Sequence, residues 1–304
     1  MIYKGANNMK KRKLGNSELY ISELSLGCMS LPINVNEARP IVEAALDVGI
    51  TYFDTADLYD KGVNEEIIGT LLKPHRENII LATKVGNRWI EGEDGWTWDP
   101  TPAHIKNAVK ASLQRLQTDY IDVYQLHGGT LDDPWDEIID TFEELKKEGL
   151  IREYGISSIR PNVFVPFLTN SSAVSNMMQF SLLDRRPEEW FATTLQAGAS
   201  VVTRGSIAKG LLTAQWRERL KPYMSYDEQS LSHVIEQLEN EYNNIHALAL
   251  AFNLHFNAVA STVIGARTKE QLQASITAYN EAQKIHDFSK AMTLLKQDTY
   301  TEHR

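Results

Sequence analysis

Asp54, Tyr59, Lys84 and His127 are residue types that could act together as an acid catalyst in this 304-residue chain. A phenol, with a reference pKa of about 10, gives up its proton near neutral pH only if a neighbour stabilises the phenolate. Lys84 beside Tyr59 would do that, Asp54 would hold Lys84 charged and oriented, and His127 would hydrogen-bond the substrate oxygen. Such a site suits a carbonyl oxygen that gains negative charge as a hydride reaches its carbon. Alone, each residue is a weak signal, since strand-end aspartates and single histidines often serve structure.

What must position these groups is legible in the alternation of short apolar runs with longer amphipathic segments, a pattern of parallel strands joined by helices. It recurs eight times, with strands expected at 24–27, 51–54, 79–84, 121–127, 151–157, 175–180, 200–203 and 260–264. Helices are expected near 37–49, 64–73, 101–117, 134–148, 161–169, 188–197, 232–254 and 268–281. Thr101-Pro102 and Asp133-Pro134 read as helix starts, and Gly149 as a helix stop. Eight right-handed strand-helix units close into an α/β (β/α)8 TIM barrel, with the catalytic groups at the C-terminal ends of its strands. An open doubly wound sheet is the alternative, but the turn after its first strand would need a glycine-rich fingerprint, and here it reads Gly27-Cys28-Met29-Ser30. The segments flanking Gly15-Asn16-Ser17 predict an N-terminal β-hairpin flooring the barrel, and residues 286–304 a C-terminal helical tail. Residues 1–9 are expected as a disordered leader and 10–304 as a single domain.

Composition narrows the function further. Thirty-one basic against forty acidic residues give a net charge of −9, which argues against nucleic acid as a partner. No run of 18 apolar residues offers a membrane span, and the start of the chain lacks a secretory apolar region, so the cytoplasm is the expected location. The single cysteine, Cys28, cannot form an internal disulfide and reads as a small buried hydrophobe.

In order along the chain come Phe53-Asp54-Thr55-Ala56-Asp57-Leu58-Tyr59, Ala82-Thr83-Lys84, Asp119-Tyr120-Ile121-Asp122 leading to Gln125-Leu126-His127, Tyr154-Gly155-Ile156-Ser157, and Ile264-Gly265-Ala266-Arg267-Thr268. On these motifs the sequence resembles the aldo-keto reductase superfamily from Met9 to the eighth helix. The resemblance implies that Asp54, Tyr59, Lys84 and His127 form a catalytic tetrad, and that NADPH reduces an aldehyde or ketone without a metal. It implies that Ser157, Ser158 and Gln179 meet the nicotinamide carboxamide, although Ser158 stands where asparagine is common. After the seventh strand Arg204 occupies the place of an aromatic ring that stacks on nicotinamide. A guanidinium there would disfavour the positively charged oxidised ring, unless it turns outward. Gly205, Ser206, Ala208, Lys209 and Gly210 follow as the pyrophosphate segment. Gly265, Arg267 and Thr268 open the eighth helix, where amides and dipole favour phosphate and Arg267 offers a fork for the 2′-phosphate. Gln271 and Ser275 are expected near the adenine, with serine again in place of a usual asparagine.

Residues 86–100 form a long loop carrying three of the six tryptophans. Trp89, Trp96 and Trp98, with Met29, could wall a substrate pocket or pack a mini-core of their own. Two other functions stay open: an NADPH-binding redox sensor or regulatory subunit with slow turnover, and a metal-dependent hydrolase. The hydrolase lacks a His-x-His pair after the first strand. The oligomeric state and the physiological carbonyl are left open by the sequence.

Overall fold

A computed structural model describes residues 9–90, 92 and 94–303. Eight strands, mostly of apolar and β-branched side chains, form a closed parallel barrel in chain order. They are β1 (Leu24–Gly27), β2 (Tyr52–Asp54), β3 (Ile80–Val85), β4 (Ile121–Leu126), β5 (Ile151–Ile156), β6 (Ser175–Gln179), β7 (Ser200–Arg204) and β8 (Val259–Gly265). This is the (β/α)8 barrel that the alternating pattern predicts.

Strand parity decides which residues face the interior. Tyr52, Ala82, Val123, Met177, Val202 and Ala260 pack together as one buried cluster inside the barrel. Two residues further along the same strands come Asp54, Lys84, Gln125, Gln179 and Arg204, and the period of two brings them to the same inner side at the mouth.

Leu14 and Ile21 join that inner cluster from below. They belong to the expected hairpin, in which Lys11–Lys13 pairs antiparallel with Tyr20–Ser22. Gly15 in its turn has φ of 52°, and a Cβ there would lie 2.4 Å from the Val174 carbonyl oxygen, so only glycine fits. Residues 1–8 lie outside the described residues, while Met9, expected in the leader, is buried in the core.

Ten helices among the described residues surround the barrel. They are α1 (Val35–Asp47), α2 (Val63–Leu72), α3 (Pro102–Leu116), α4 (Trp135–Lys147), α5 (Pro161–Thr169), α6 (Phe191–Gln196), α7 (Glu228–Tyr242), α8 (Ile245–His255), α9 (Lys269–Ala282) and α10 (Ser289–Leu294). Four segments differ from expectation. The single helix expected over 232–254 is broken: Asn243 has φ of 57°, and Asn244 caps α8 by accepting from the amides of His246 and Ala247. The helix expected over 188–197 begins as a 3-10 segment, Arg186–Trp190. Residues 86–100 are not wholly irregular, because Asn87–Trp89 pairs antiparallel with Trp96–Trp98. Among the described residues of the tail only α10 is helical, and residues 295–303 run without regular structure.

Candidate active site

Three neighbouring barrel strands, β2, β3 and β4, bring the first four residues together, with Tyr59 supplied by the loop after β2. Lys84, 1% exposed at the inner end of β3, donates from Nζ to Asp54 Oδ2 at 2.6 Å, to the Thr55 carbonyl at 2.6 Å and to the Tyr59 hydroxyl at 3.3 Å. All three hydrogens of the ammonium are thereby used. Asp54 is fixed from its other oxygen by Gln125 Nε2 at 3.1 Å. Burial pushes the Asp54 carboxyl upward, opposed by Lys84 and Gln125; burial pulls Lys84 down, but Asp54 and Tyr59 outweigh it and hold the ammonium above its ordinary range. In direct contact, each group favours the charged form of the other against the cost of burial.

Tyr59 opens a 3-10 segment, Tyr59–Gly62, immediately after the β2 loop, with its amide bonded to the Ala56 carbonyl at 3.2 Å. His127 lies one residue past β4, its amide bonded to the Val85 carbonyl at 2.7 Å. The two rings meet edge to face, 6.0 Å apart at 84°. Burial, followed by the positive charges of Lys84 and Arg204, holds the His127 imidazole down at about 3, so it is neutral. Its Nδ1 is buried without a hydrogen-bond partner among the described residues. Asp57, in the same loop as Tyr59, is pushed up to about 8 by burial and then by Glu65.

The residues expected around a cofactor line the opposite side of the mouth. Ser157 follows β5, and its amide bonds the Leu126 carbonyl at 2.8 Å. Ser158 is buried; its amide donates to Asn176 Oδ1 at 3.2 Å and its hydroxyl accepts from the Arg160 amide at 3.3 Å. Gln179 ends β6 and Arg204 ends β7, where the guanidinium is exposed and donates to Gln179 Oε1 at 3.4 Å. Gly205 lets that glutamine pass, since a Cβ there would lie 3.2 Å from Gln179 Cγ. Ser206 is buried, and its hydroxyl has no partner among the described residues. Ala208 and Lys209 have φ of 47° and 58°, with Gly210 at 92°, so this run turns sharply outside β7.

Beyond β8, Gly265 lies close to Ser30, and Thr268 caps α9 by accepting from the Gln271 amide at 3.3 Å. Gln271 Oε1 accepts from the Arg267 amide at 2.8 Å, so its side chain is occupied at the helix start. The Arg267 guanidinium is exposed. Ser275 is buried one turn on and donates to the Gln271 carbonyl at 3.3 Å.

The tryptophans sit on the third side. Trp89 Nε1 donates to the Leu58 carbonyl at 3.1 Å, beside Tyr59, and the Trp98 ring lies against Gly86 and Gly128 with Nε1 bonded to Asp133 at 2.9 Å. Trp96 is 53% exposed and Met29 62% exposed at the rim. Sequence reasoning quoted Gln125 within the Gln125-Leu126-His127 motif but gave it no role in the site. It also missed Asp184, Arg186, Tyr223 and Tyr300, which gather around Gln179 from the segments after β6 and β7 and from the tail without any motif.

A model of the aldo/keto reductase family matches residues 23–295. The uncharacterized oxidoreductase YqkF of Bacillus subtilis (strain 168) is 51% identical, the match covering 97% of this chain and 100% of that protein. The NADH-specific methylglyoxal reductase of Escherichia coli (strain K12) is 29% identical, covering 90% of this chain and 94% of its own. Among solved structures, the holo form of aldo-keto reductase AKR11C1 from Bacillus halodurans is 50% identical, with a TM-score of 0.91 and coverage of 98% of this chain and 100% of that one. A family match over nearly the whole barrel, joined by relatives of half identity along their full length, means that this protein belongs to the aldo/keto reductase family of NAD(P)H-dependent oxidoreductases.

Proposed function

We propose that this protein reduces aldehydes or ketones to alcohols with NADPH, Tyr59 serving as the general acid. The observation that carries this reading is the Lys84 ammonium, buried between the Asp54 carboxylate and the Tyr59 hydroxyl. When bound, NADPH supplies the hydride that reduces the carbonyl carbon. Tyr59 gives its phenolic proton to the carbonyl oxygen as charge builds there, and the phenolate left behind stays next to Lys84. Asp54 and Gln125 keep that ammonium charged and aimed. His127 is neutral and serves as a hydrogen-bond donor to the same oxygen rather than as the proton source. Trp89, Trp98 and the exposed Trp96 and Met29 offer apolar wall to the remainder of the substrate.

The chain's residues suit this cofactor. The buried Ser206 hydroxyl, without a partner among the described residues, and the sharp turns through Gly210 favour an anion such as the pyrophosphate. Ser157, Ser158, Gln179 and Arg204 are assigned to the nicotinamide half. Gly265, Arg267, Thr268, Gln271 and Ser275 are assigned to the adenosine half, with the exposed Arg267 fork favouring a 2′-phosphate and hence NADPH over NADH. Replacing Tyr59 by phenylalanine tests the reading. Tyr59→Phe should lower kcat by about 10²-fold or more while NADPH binding, followed by cofactor fluorescence, stays near wild type. Turnover close to wild type would remove Tyr59 from the proton-donor role.

A further inference from the structure

Both ends of the Gln179 amide are engaged. Its Oε1 accepts from Arg204, and its Nε2 donates to Asp184 Oδ2 at 2.8 Å. Asp184 is fully buried, and Arg186 meets it with two bonds, Nε to Oδ1 at 2.7 Å and Nη2 to Oδ2 at 2.9 Å. The Arg186 guanidinium in turn lies 4.9 Å from the centroid of the Tyr300 ring. One continuous set of contacts therefore joins the end of β7 to the C-terminal tail.

The tail reaches Gln179 by a second route. The Lys296 amide donates to the Tyr226 hydroxyl at 2.6 Å, and the Ser225 hydroxyl donates to Asp298 Oδ2 at 2.7 Å. Tyr226 and Tyr223 exchange both backbone bonds at 3.0 Å, and the Tyr223 hydroxyl accepts from Gln179 Nε2 at 3.4 Å. Further on, the His303 carbonyl accepts from the Asn162 amide at 2.9 Å, near the start of α5. The tail is thus pinned at both ends, with Tyr300 between the pins.

A buried carboxylate depends on its ion partner, and that partner holds best where water is kept away. Tyr300 is 6% exposed, and its ring lies over the guanidinium that holds Asp184. Its hydroxyl is buried without a partner among the described residues, so the ring is the part that acts on Arg186.

We infer that Tyr300 is a positioning residue, whose ring holds Arg186 on Asp184 and through them fixes the Gln179 amide and Arg204 for the nicotinamide half of the cofactor. The inference rests on the assignment of Gln179 and Arg204 proposed above. It places control of hydride-transfer geometry partly in the last residues of the chain, remote from Tyr59 in sequence.

The test compares dissociation constants for NADPH and for adenosine 2′,5′-bisphosphate, which carries the adenine and 2′-phosphate but no nicotinamide. Tyr300→Leu should weaken NADPH about tenfold, as expected when one charge-assisted hydrogen bond is removed, and lower kcat, with the bisphosphate unchanged. Tyr300→Phe keeps the ring and should match wild type. Equal weakening of both ligands, unchanged NADPH binding, or a Tyr300→Phe variant as impaired as Tyr300→Leu would each overturn the inference. Should Tyr300→Leu fail to fold, Arg186→Lys, which removes the fork and the planar face while keeping the charge, is read in the same way. Gln179→Ala separates the two layers of argument. If it changes the NADPH-to-bisphosphate ratio and Tyr300→Leu does not, the coupling through Tyr300 is wrong; if neither changes it, the assignment of Gln179 falls and the inference with it.

Discussion

Lys84 donates to Asp54 across adjacent strands at 2.6 Å, and both side chains are buried. Burying a charge pair in a barrel mouth is a poor way to gain stability, because desolvation offsets most of the attraction. The pair makes sense through what it does to a third group, the Tyr59 hydroxyl, which lies 3.3 Å from the same ammonium.

Removing that ammonium should therefore act through Tyr59. Lys84→Met fills similar volume without charge, and is expected to lower kcat by about 10²-fold or more, as Tyr59→Phe does. Because both substitutions interrupt one unit, the double variant should be little worse than either single one. Multiplicative losses in the double variant, measured by NADPH oxidation, would mean that the two residues act separately.

Asp57 gives a prediction on stability. Its folded pKa of about 8 lies above its value in the unfolded chain, and the first cause is burial. Between about pH 4 and this folded value the native state holds one proton more than the unfolded state, so stability falls as pH rises through that window. The slope is at most about 1.4 kcal/mol per pH unit from this group. Asp57→Asn mimics the neutral carboxyl and should match wild type near pH 4, then become progressively more stable than wild type up to about pH 8. Denaturant midpoints measured across that range check it; a pH-independent difference between the two proteins would show that Asp57 is not held neutral by the fold.

How far the sequence revealed this site depended on the kind of signal each residue carried. Asp54, Lys84 and His127 were legible because they fall at the C-terminal ends of successive expected strands, where a barrel gathers its catalytic groups. Leu14 and Ile21 were legible as a floor because a turn at Gly15 separates two short apolar segments. The break between α7 and α8 was not, since the apolar residues from Ile245 onward continue a helical pattern and only the left-handed Asn243 and the Asn244 cap interrupt it. The engagement of Gln179 by Asp184 was equally hidden. That contact is set by where the loop after β6 folds back, and the Ser181 and Asp184 backbone bridge that folds it has no counterpart in composition.

Arg267 carries the prediction on cofactor choice. Its guanidinium is exposed just before α9, where the helix start adds favourable partial charge. A charge-assisted contact to the 2′-phosphate contributes roughly 1.5–3 kcal/mol. Arg267→Ala should accordingly weaken NADPH by about 10–100-fold and leave NADH nearly unchanged. Equal weakening of both cofactors, measured by fluorescence titration, would make Arg267 a structural residue.

Arg204 replaces the aromatic ring that the family resemblance leads one to expect after the seventh strand, and its charge gives the replacement a sign. The guanidinium is exposed at the mouth, one of its nitrogens reaches Gln179, and its positive charge is felt at both Asp54 and His127. If it lies against the nicotinamide, it favours the neutral reduced ring over the positively charged oxidised one. NADPH should then bind more tightly relative to NADP⁺ in wild type than in Arg204→Tyr, and wild type should be the poorer catalyst of alcohol oxidation. Dissociation constants for both cofactors, with both proteins, measure the effect. An unchanged ratio would remove the contact with the ring, and equal weakening of NADPH and NADP⁺ in Arg204→Tyr would place the guanidinium on a phosphate instead.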